Sequence, residues 1–227
     1  MKLKRAAIFD LDGTILDTTK DIGLALDKTL GTVFTDEQVK RFVGQGLRNS
    51  LIAGAKELGL ENYDIDELDR KLLENYRQIP VLHTKPFPGV VRLLLTLTER
   101  GIPICVYTNK EEDIALSVLR LSLPEIRLSM VAGTHGKFDM KPSSQAIDAF
   151  CLQENIPKED TLYIGDSEID FKTALQAEMD YRILTWGSRS KETLLKAGVP
   201  EECLIPNLDG IENLFILKKL PGNSGSF

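Results

Sequence analysis

The chain is poor in the residues on which several specialised functions depend. In 227 residues it has 3 Cys, 2 His and 1 Trp. Cys105, Cys151 and Cys203 are odd in number and irregularly spaced, with neither a Cys-x-x-Cys pair nor a zinc-knuckle pattern. Reduced thiols in a cytoplasmic protein are therefore expected. Cys105 and Cys203 lie in apolar runs and read as buried and inert. His83 and His135 are too few for a His-rich metal site and have no evident nucleophile partner. Positive charge is not in excess: 28 Lys and Arg against 34 Asp and Glu leave a net −6, which argues against nucleic acid as the main partner. It also means that an anionic ligand must be met by local positive charge or by metal. No apolar run approaches the ~20 residues of a membrane span. The start, Met1-Lys2-Leu3-Lys4-Arg5, has the charge of a leader, but the apolar run after it stops at Asp10. Internal repeats and low-complexity segments are also missing. A monomer and a homodimer are both compatible with this composition.

What is present is enough apolar residue, 42%, for a substantial core. Ala6-Ala7-Ile8-Phe9 reads as a short strand buried on both faces. It runs into Asp10-Leu11-Asp12-Gly13-Thr14, which puts carboxylates on alternate residues at a strand end. Residues 17–82 carry helical periodicity and nothing that reads as a strand: helices are expected over 17–30, from a Thr35-Asp36-Glu37 cap to Phe42, over 47–58, and over 64–79. Pro86-Phe87-Pro88-Gly89 marks a boundary. Strands then alternate with helices: strands over 102–107, 127–132, 162–164, 181–184 and 203–205, and helices over 89–100, 111–120, 143–154, 168–178, 190–197 and 210–219. Residues 221–227 read as a frayed tail. This alternation predicts an α/β fold with a mainly parallel sheet. The expected division is residues 1–16 and 85–227 as a discontinuous core, with 17–84 inserted as a helical cap.

Each predicted core strand ends in something polar. After Asp10 and Asp12 come Thr108-Asn109-Lys110, then Lys141-Pro142, then Gly165-Asp166-Ser167-Glu168-Ile169-Asp170. Taken singly, these read as caps, turns or a solvated lysine. In a parallel sheet, however, strand ends share one edge, and ligands bind at that edge.

These residues resemble the motifs of the haloacid dehalogenase-like hydrolases. The likeness covers nearly the whole chain, and the helical insert matches that family's helical cap. It implies a Rossmannoid core. Thr108-Asn109-Lys110, the Gly165–Asp170 run and Val43-Gly44-Gln45-Gly46-Leu47 are most similar to phosphoglycolate phosphatases. One departure is that Lys141-Pro142 is followed by Ser143-Ser144, where the family often has Lys-Pro-x-Pro. The resemblance implies an Mg²⁺-dependent phosphatase acting on a small phosphorylated metabolite, with 2-phosphoglycolate the first candidate. Asp10 is then the nucleophile that forms an aspartyl-phosphate, and Asp12 the acid and base. The metal ligands would be Asp10, Asp166 and the backbone carbonyl of Asp12. Asp170 would hold a metal-bound water or orient Lys141. Thr108, Asn109 and Lys141 would bind and neutralise the phosphoryl group. On the cap, Gly46 would let the backbone approach substrate, and Arg48 would fork to a substrate carboxylate. The alternatives are a sugar-phosphate phosphatase, a β-phosphoglucomutase-like mutase, or a catalytically inactive binding module. Val43, where the mutases usually carry Lys, counts against the mutase, and the full set of motif acids counts against the module.

Overall fold

The structure, a computed structural model, describes residues 2–79 and 81–216. The chain enters on strand β1 (Ala6–Phe9), whose four residues are all buried. A two-residue strand β2 (Leu16–Asp17) follows, then helices α1 (Thr19–Leu30), α2 (Asp36–Phe42), α3 (Leu47–Glu57) and α4 (Ile65–Gln78), and a two-residue strand β3 (Lys85–Pro86). The remainder alternates: α5 (Val90–Glu99), β4 (Ile104–Glu111), α6 (Glu112–Ser122), β5 (Met130–Thr134), α7 (Gln145–Glu154), β6 (Thr161–Gly165), α8 (Glu168–Gln176), β7 (Asp180–Leu184), α9 (Lys191–Lys196) and β8 (Leu204–Ile205).

Six strands form one sheet in the order β5-β4-β1-β6-β7-β8, every neighbouring pair parallel. β1 therefore sits centrally, with β4 on one side and β6 on the other, where the chain reverses its direction of travel across the sheet. That is the switch point at which open parallel sheets leave a crevice beyond their carboxyl ends. The strands nearest it, β1, β4 and β6, are buried along their whole length. This explains their near-continuous apolar sequence before the terminal polar residues.

The expected helices of the insert are found within a residue or two, because each is bounded by strong local signals. Thr35 makes a full capping box with Gln38 at the start of α2, and Asp64 accepts from the N–H groups of Asp66 and Glu67 at the start of α4. The expected freedom of this segment from strands needs correction: Asp17 belongs to β2, which pairs antiparallel with β3 through Leu16–Pro86 and Asp17–Lys85. Two residues per strand carry no periodicity that a sequence could display. In the core, β4 runs on through Thr108-Asn109-Lys110 to Glu111, with an irregularity between Tyr107 and Glu111, so these residues are strand rather than helix cap. The expected helix over 210–219 is a 3₁₀ turn at Ile211–Leu214, after which Phe215 bridges to Lys4. Residues 217–219 and the expected tail over 221–227 lie outside the described residues. Cys105 and Cys151 are buried, while Cys203 is only half-buried. Burial pushes the Cys105 thiol up, as it does Cys151, so neither is reactive.

One buried acid ties the first helix of the insert to the insert's last residues. Asp21 in α1 is fully buried, and its carboxylate accepts from the backbone N–H of Leu82, His83 and Thr84 and from the Thr84 hydroxyl, at 2.6–3.0 Å. Removing the acceptor strands several donors at once, those of Thr84 buried. Asp21→Ala should therefore cost about 3 kcal/mol of stability, read as a lower denaturation midpoint at unchanged slope.

Candidate active site

The carboxyl edge of the sheet gathers the polar strand ends. Asp10, directly after β1, is 3% exposed. The Lys141 ammonium, likewise buried, lies 2.7 Å from Asp10 Oδ1 and 2.7 Å from Asp170 Oδ1. Lys141 reaches this place because Asn109 grips its backbone. Asn109 Oδ1 accepts from the Lys141 N–H at 2.7 Å, and Asn109 Nδ2 donates to the Lys141 carbonyl, next to a cis Lys141–Pro142 peptide. Burial alone would lower the lysine; Asp10 and Asp170 outweigh it and hold it raised, hence charged.

Asp166 follows β6 and is fully buried. Its Oδ1 accepts from the Thr14 hydroxyl at 2.9 Å, and its Oδ2 from both the N–H and the hydroxyl of Ser188 at 2.6 Å. Asp170 sits in the first turn of α8, in a capping box with Ser167. Oxygens of Asp10, Asp166 and Asp170 lie within 4.8 Å of one another. The three acids are not equivalent. Asp170 Oδ1 already accepts from Lys141 and Tyr163, and Oδ2 from the N–H groups of Asp166 and Ser167 and the Ser167 hydroxyl. Burial would raise it, but Lys141 and these hydroxyls hold it below the usual carboxylate range. Its lone pairs are spent, so it suits holding Lys141 rather than ligating an ion. Asp10 is pushed well up by burial and by the charge of Asp170, and Asp166 is pushed up to about 6 by burial and the same neighbour. Two buried acids whose charged forms are disfavoured, side by side and rich in oxygen, fit a hard divalent cation such as Mg²⁺.

Asp12 stands apart from this cluster. Its Oδ1 accepts from the Thr18 hydroxyl at 2.6 Å and pairs with Lys110 Nζ at 3.1 Å. It lines a cavity between the sheet edge and the helical insert, together with Asp10, Ile22, Val43, Gly44, Gly46, Leu47, Thr108, Asn109 and Lys110. Thr108 borders the cavity. Gly46, with φ +91°, comes so close that a Cβ there would meet the Asn109 carbonyl at 3.0 Å. About 10 Å³ of free space remains, room for one water molecule. Arg48 is not brought to this cavity. It lies on the outer side of α3, paired with Asp66 at 2.5 Å and Asp69 at 3.1 Å, its side chain 44% exposed.

The matching family model, haloacid dehalogenase-like hydrolase, spans residues 7–183. The chain belongs to the haloacid dehalogenase-like hydrolase family. Among its relatives, a phosphoglycolate phosphatase of Aquifex aeolicus is 29% identical over 187 residues, covering 81% of this chain and 85% of that protein. An N-acetylmuramic acid 6-phosphate phosphatase of Pseudomonas aeruginosa is 30% identical over 181 residues, covering 78% and 79%. A crystal structure of a candidate phosphoglycolate phosphatase from Lactobacillus delbrueckii subsp. bulgaricus superposes with a TM-score of 0.80 at 28% identity, covering 94% of this chain and 99% of that one. This haloacid dehalogenase-like chain is an enzyme, a hydrolase of the phosphatase type. Among its described residues no helix is long and apolar enough to cross a membrane.

Several residues of the site escaped the sequence reading. Ser188 and its neighbours follow β7, where Thr185-Trp186-Gly187-Ser188 carries no acid or lysine to mark the strand end. Trp186 packs on Phe87 at 5.6 Å, a Cβ on Gly187 would collide with Asp166, and Arg189 donates to the carbonyls of Lys40 and Val43 in the insert. Tyr163 lies inside β6, where an aromatic in an apolar run gives no sign of its hydroxyl's partner. Lys110 and Tyr76 meet only through the fold.

Proposed function

We propose that this enzyme is an Mg²⁺-dependent phosphatase for small phosphomonoesters, 2-phosphoglycolate first among them, working through a phospho-enzyme on Asp10. One observation carries the reading: a buried lysine bridges Asp10 to Asp170 beside a further raised acid, while the Asp12 carboxylate faces away from that cluster into the adjoining cavity. Residues 1–16 and 85–227 act as the catalytic core and 17–84 as the cap.

Asp10, Asp166 and the Asp12 carbonyl would hold Mg²⁺, which would supply charge neutralisation for a phosphate dianion. The chain's own residues do the rest. Lys141 holds a fixed positive charge against Asp10 and the incoming phosphoryl oxygens, and Asp170 holds Lys141. Thr108 offers its hydroxyl, and the turn after Asp12 its N–H groups, to the same oxygens. An Asp10 carboxylate oxygen attacks phosphorus, the ester P–O bond breaks, and Asp12 gives its proton to the leaving oxygen. Asp12 then takes a proton from water as that water displaces Asp10, releasing inorganic phosphate. With room for about one water in the cavity as it stands, the cap lifts about the β2–β3 ribbon to make space for phosphate and leaving group.

The test is turnover of a panel of phosphorylated metabolites with and without Mg²⁺. Rapid Mg²⁺-dependent hydrolysis of 2-phosphoglycolate is expected, and a clear preference for a hexose phosphate counts against the substrate. A second result follows from the acids. Without metal, protons favour Asp10 and Asp166 in the fold, and Asp166 gives its proton up only near pH 6. A folded acid with a raised pKa destabilises the fold as pH climbs through that value, and a cation removes the penalty. Mg²⁺ should therefore raise Tm more at pH 8 than at pH 5; a larger rise at pH 5 would count against these ligands.

A further inference from the structure

Resting on the phosphatase reading, we propose that Lys110 is the residue that recognises a carboxylate on the substrate's leaving group, the task that the sequence assigned to Arg48. Arg48 is committed to Asp66 and Asp69 outside the cavity. Ser50, at the same wall, spends its hydroxyl on the carbonyls of Phe42 and Gly46 at 2.9 and 3.1 Å. Away from the phosphoryl end the lining is Ile22, Val43 and Leu47, with Lys110 as its cation.

The lysine is held for binding. Its side chain is 1% exposed, and its ammonium lies 3.1 Å from Asp12 Oδ1, 3.0 Å from the Tyr76 hydroxyl and 4.4 Å from the centre of the Tyr76 ring. An ammonium has three N–H donors. Two are used, and among the described residues the third has no protein acceptor, on a side chain that borders the cavity. A desolvated, immobilised cation attracts an anion strongly and repels a cation. Tyr76 belongs to α4 of the insert and Lys110 to β4 of the core, so the pocket is assembled when the two halves meet. Its location, 3.1 Å from Asp12 Oδ1, puts it next to the ester oxygen that Asp12 would protonate, so the anion it meets belongs to the leaving group.

The experiment compares kcat/KM for 2-phosphoglycolate, ethyl phosphate and O-phosphoethanolamine, whose leaving groups are anionic, neutral and cationic, using the full chain with Mg²⁺. Wild type should rank them in that order. Lys110→Met should lower the 2-phosphoglycolate to ethyl phosphate ratio by about 30-fold or more, the loss expected for one partner of a buried charge pair, and Lys110→Arg should restore part of it. Equal losses on both substrates would overturn the proposal, since Lys110 would then only position Asp12. Should Lys110→Met fail to fold by circular dichroism, wild-type product inhibition decides: glycolate inhibits and ethylene glycol does not, and the reverse or equality overturns the proposal. Turnover of p-nitrophenyl phosphate separates the failures. If that ester is hydrolysed without the anionic preference, this inference falls and the phosphatase reading stands; if no phosphomonoester is hydrolysed, both fall.

Discussion

Asp10→Asn should reduce turnover by roughly 10⁴-fold or more while leaving the fold intact. An amide neither attacks phosphorus nor competes as a magnesium ligand. The stability side can be predicted in sign. Asp10 is buried and its charged form is disfavoured by burial and by Asp170. Its neutral replacement loses one contact to Lys141, and Lys141 keeps Asp170 at 2.7 Å. In metal-free buffer near pH 8, the variant's Tm should equal or exceed that of wild type, and its gain on adding Mg²⁺ should shrink. Retained turnover in a preparation shown by mass to be free of deamidation would remove Asp10 from the nucleophile's role.

Asp12→Asn should separate the two proton transfers. An alkoxide needs a proton as it leaves, whereas nitrophenolate is stable without one. Loss on an alkyl phosphate should be roughly 10²–10⁴-fold. On p-nitrophenyl phosphate the first step survives and the second, which needs a base for water, does not. A burst of nitrophenolate should precede a slow steady state, with phosphate accumulating on Asp10. Rapid quench with intact-mass detection reads the adduct directly. Equal losses on both substrates, with no burst and no adduct, would deny Asp12 the double role. The arrangement also predicts that the replaced side chain stays in place. Its amide oxygen can still accept from the Thr18 hydroxyl, which in the wild type lies 2.6 Å from Asp12 Oδ1.

The residues that the sequence revealed share one property: each lies beside a strong local signal. Asp10, Asp166 and Lys141 stand where apolar strand runs or a Lys-Pro dipeptide break the pattern, and parallel topology then brings them together. α2 and α4 were legible from Thr35 and Asp64, whose caps act within three residues. What stayed hidden depends on partners far along the chain. Ser188 meets Asp166 22 residues away, and Lys110 meets Tyr76 34 residues away. Neither pairing leaves a periodicity or a spacing to read. Arg48 shows the converse: an arginine just after a glycine turn looks poised for an anion, and two acids on α4 decide otherwise.

The β2–β3 ribbon has a consequence for how such a chain can be rebuilt. Its pairs are Leu16 with Pro86 and Asp17 with Lys85, so the polypeptide leaves the core and returns to it at one spot. The cost of closing a longer loop there rises slowly with length, and what an exchange would remove from the core is a small set of contacts such as Lys110 with Tyr76 and Arg189 with Val43. A gene could therefore exchange everything between those ends for a foreign insert without moving Asp10 relative to Lys141. The segment between those ends is joined to the rest of the chain by a seam two residues wide on each side.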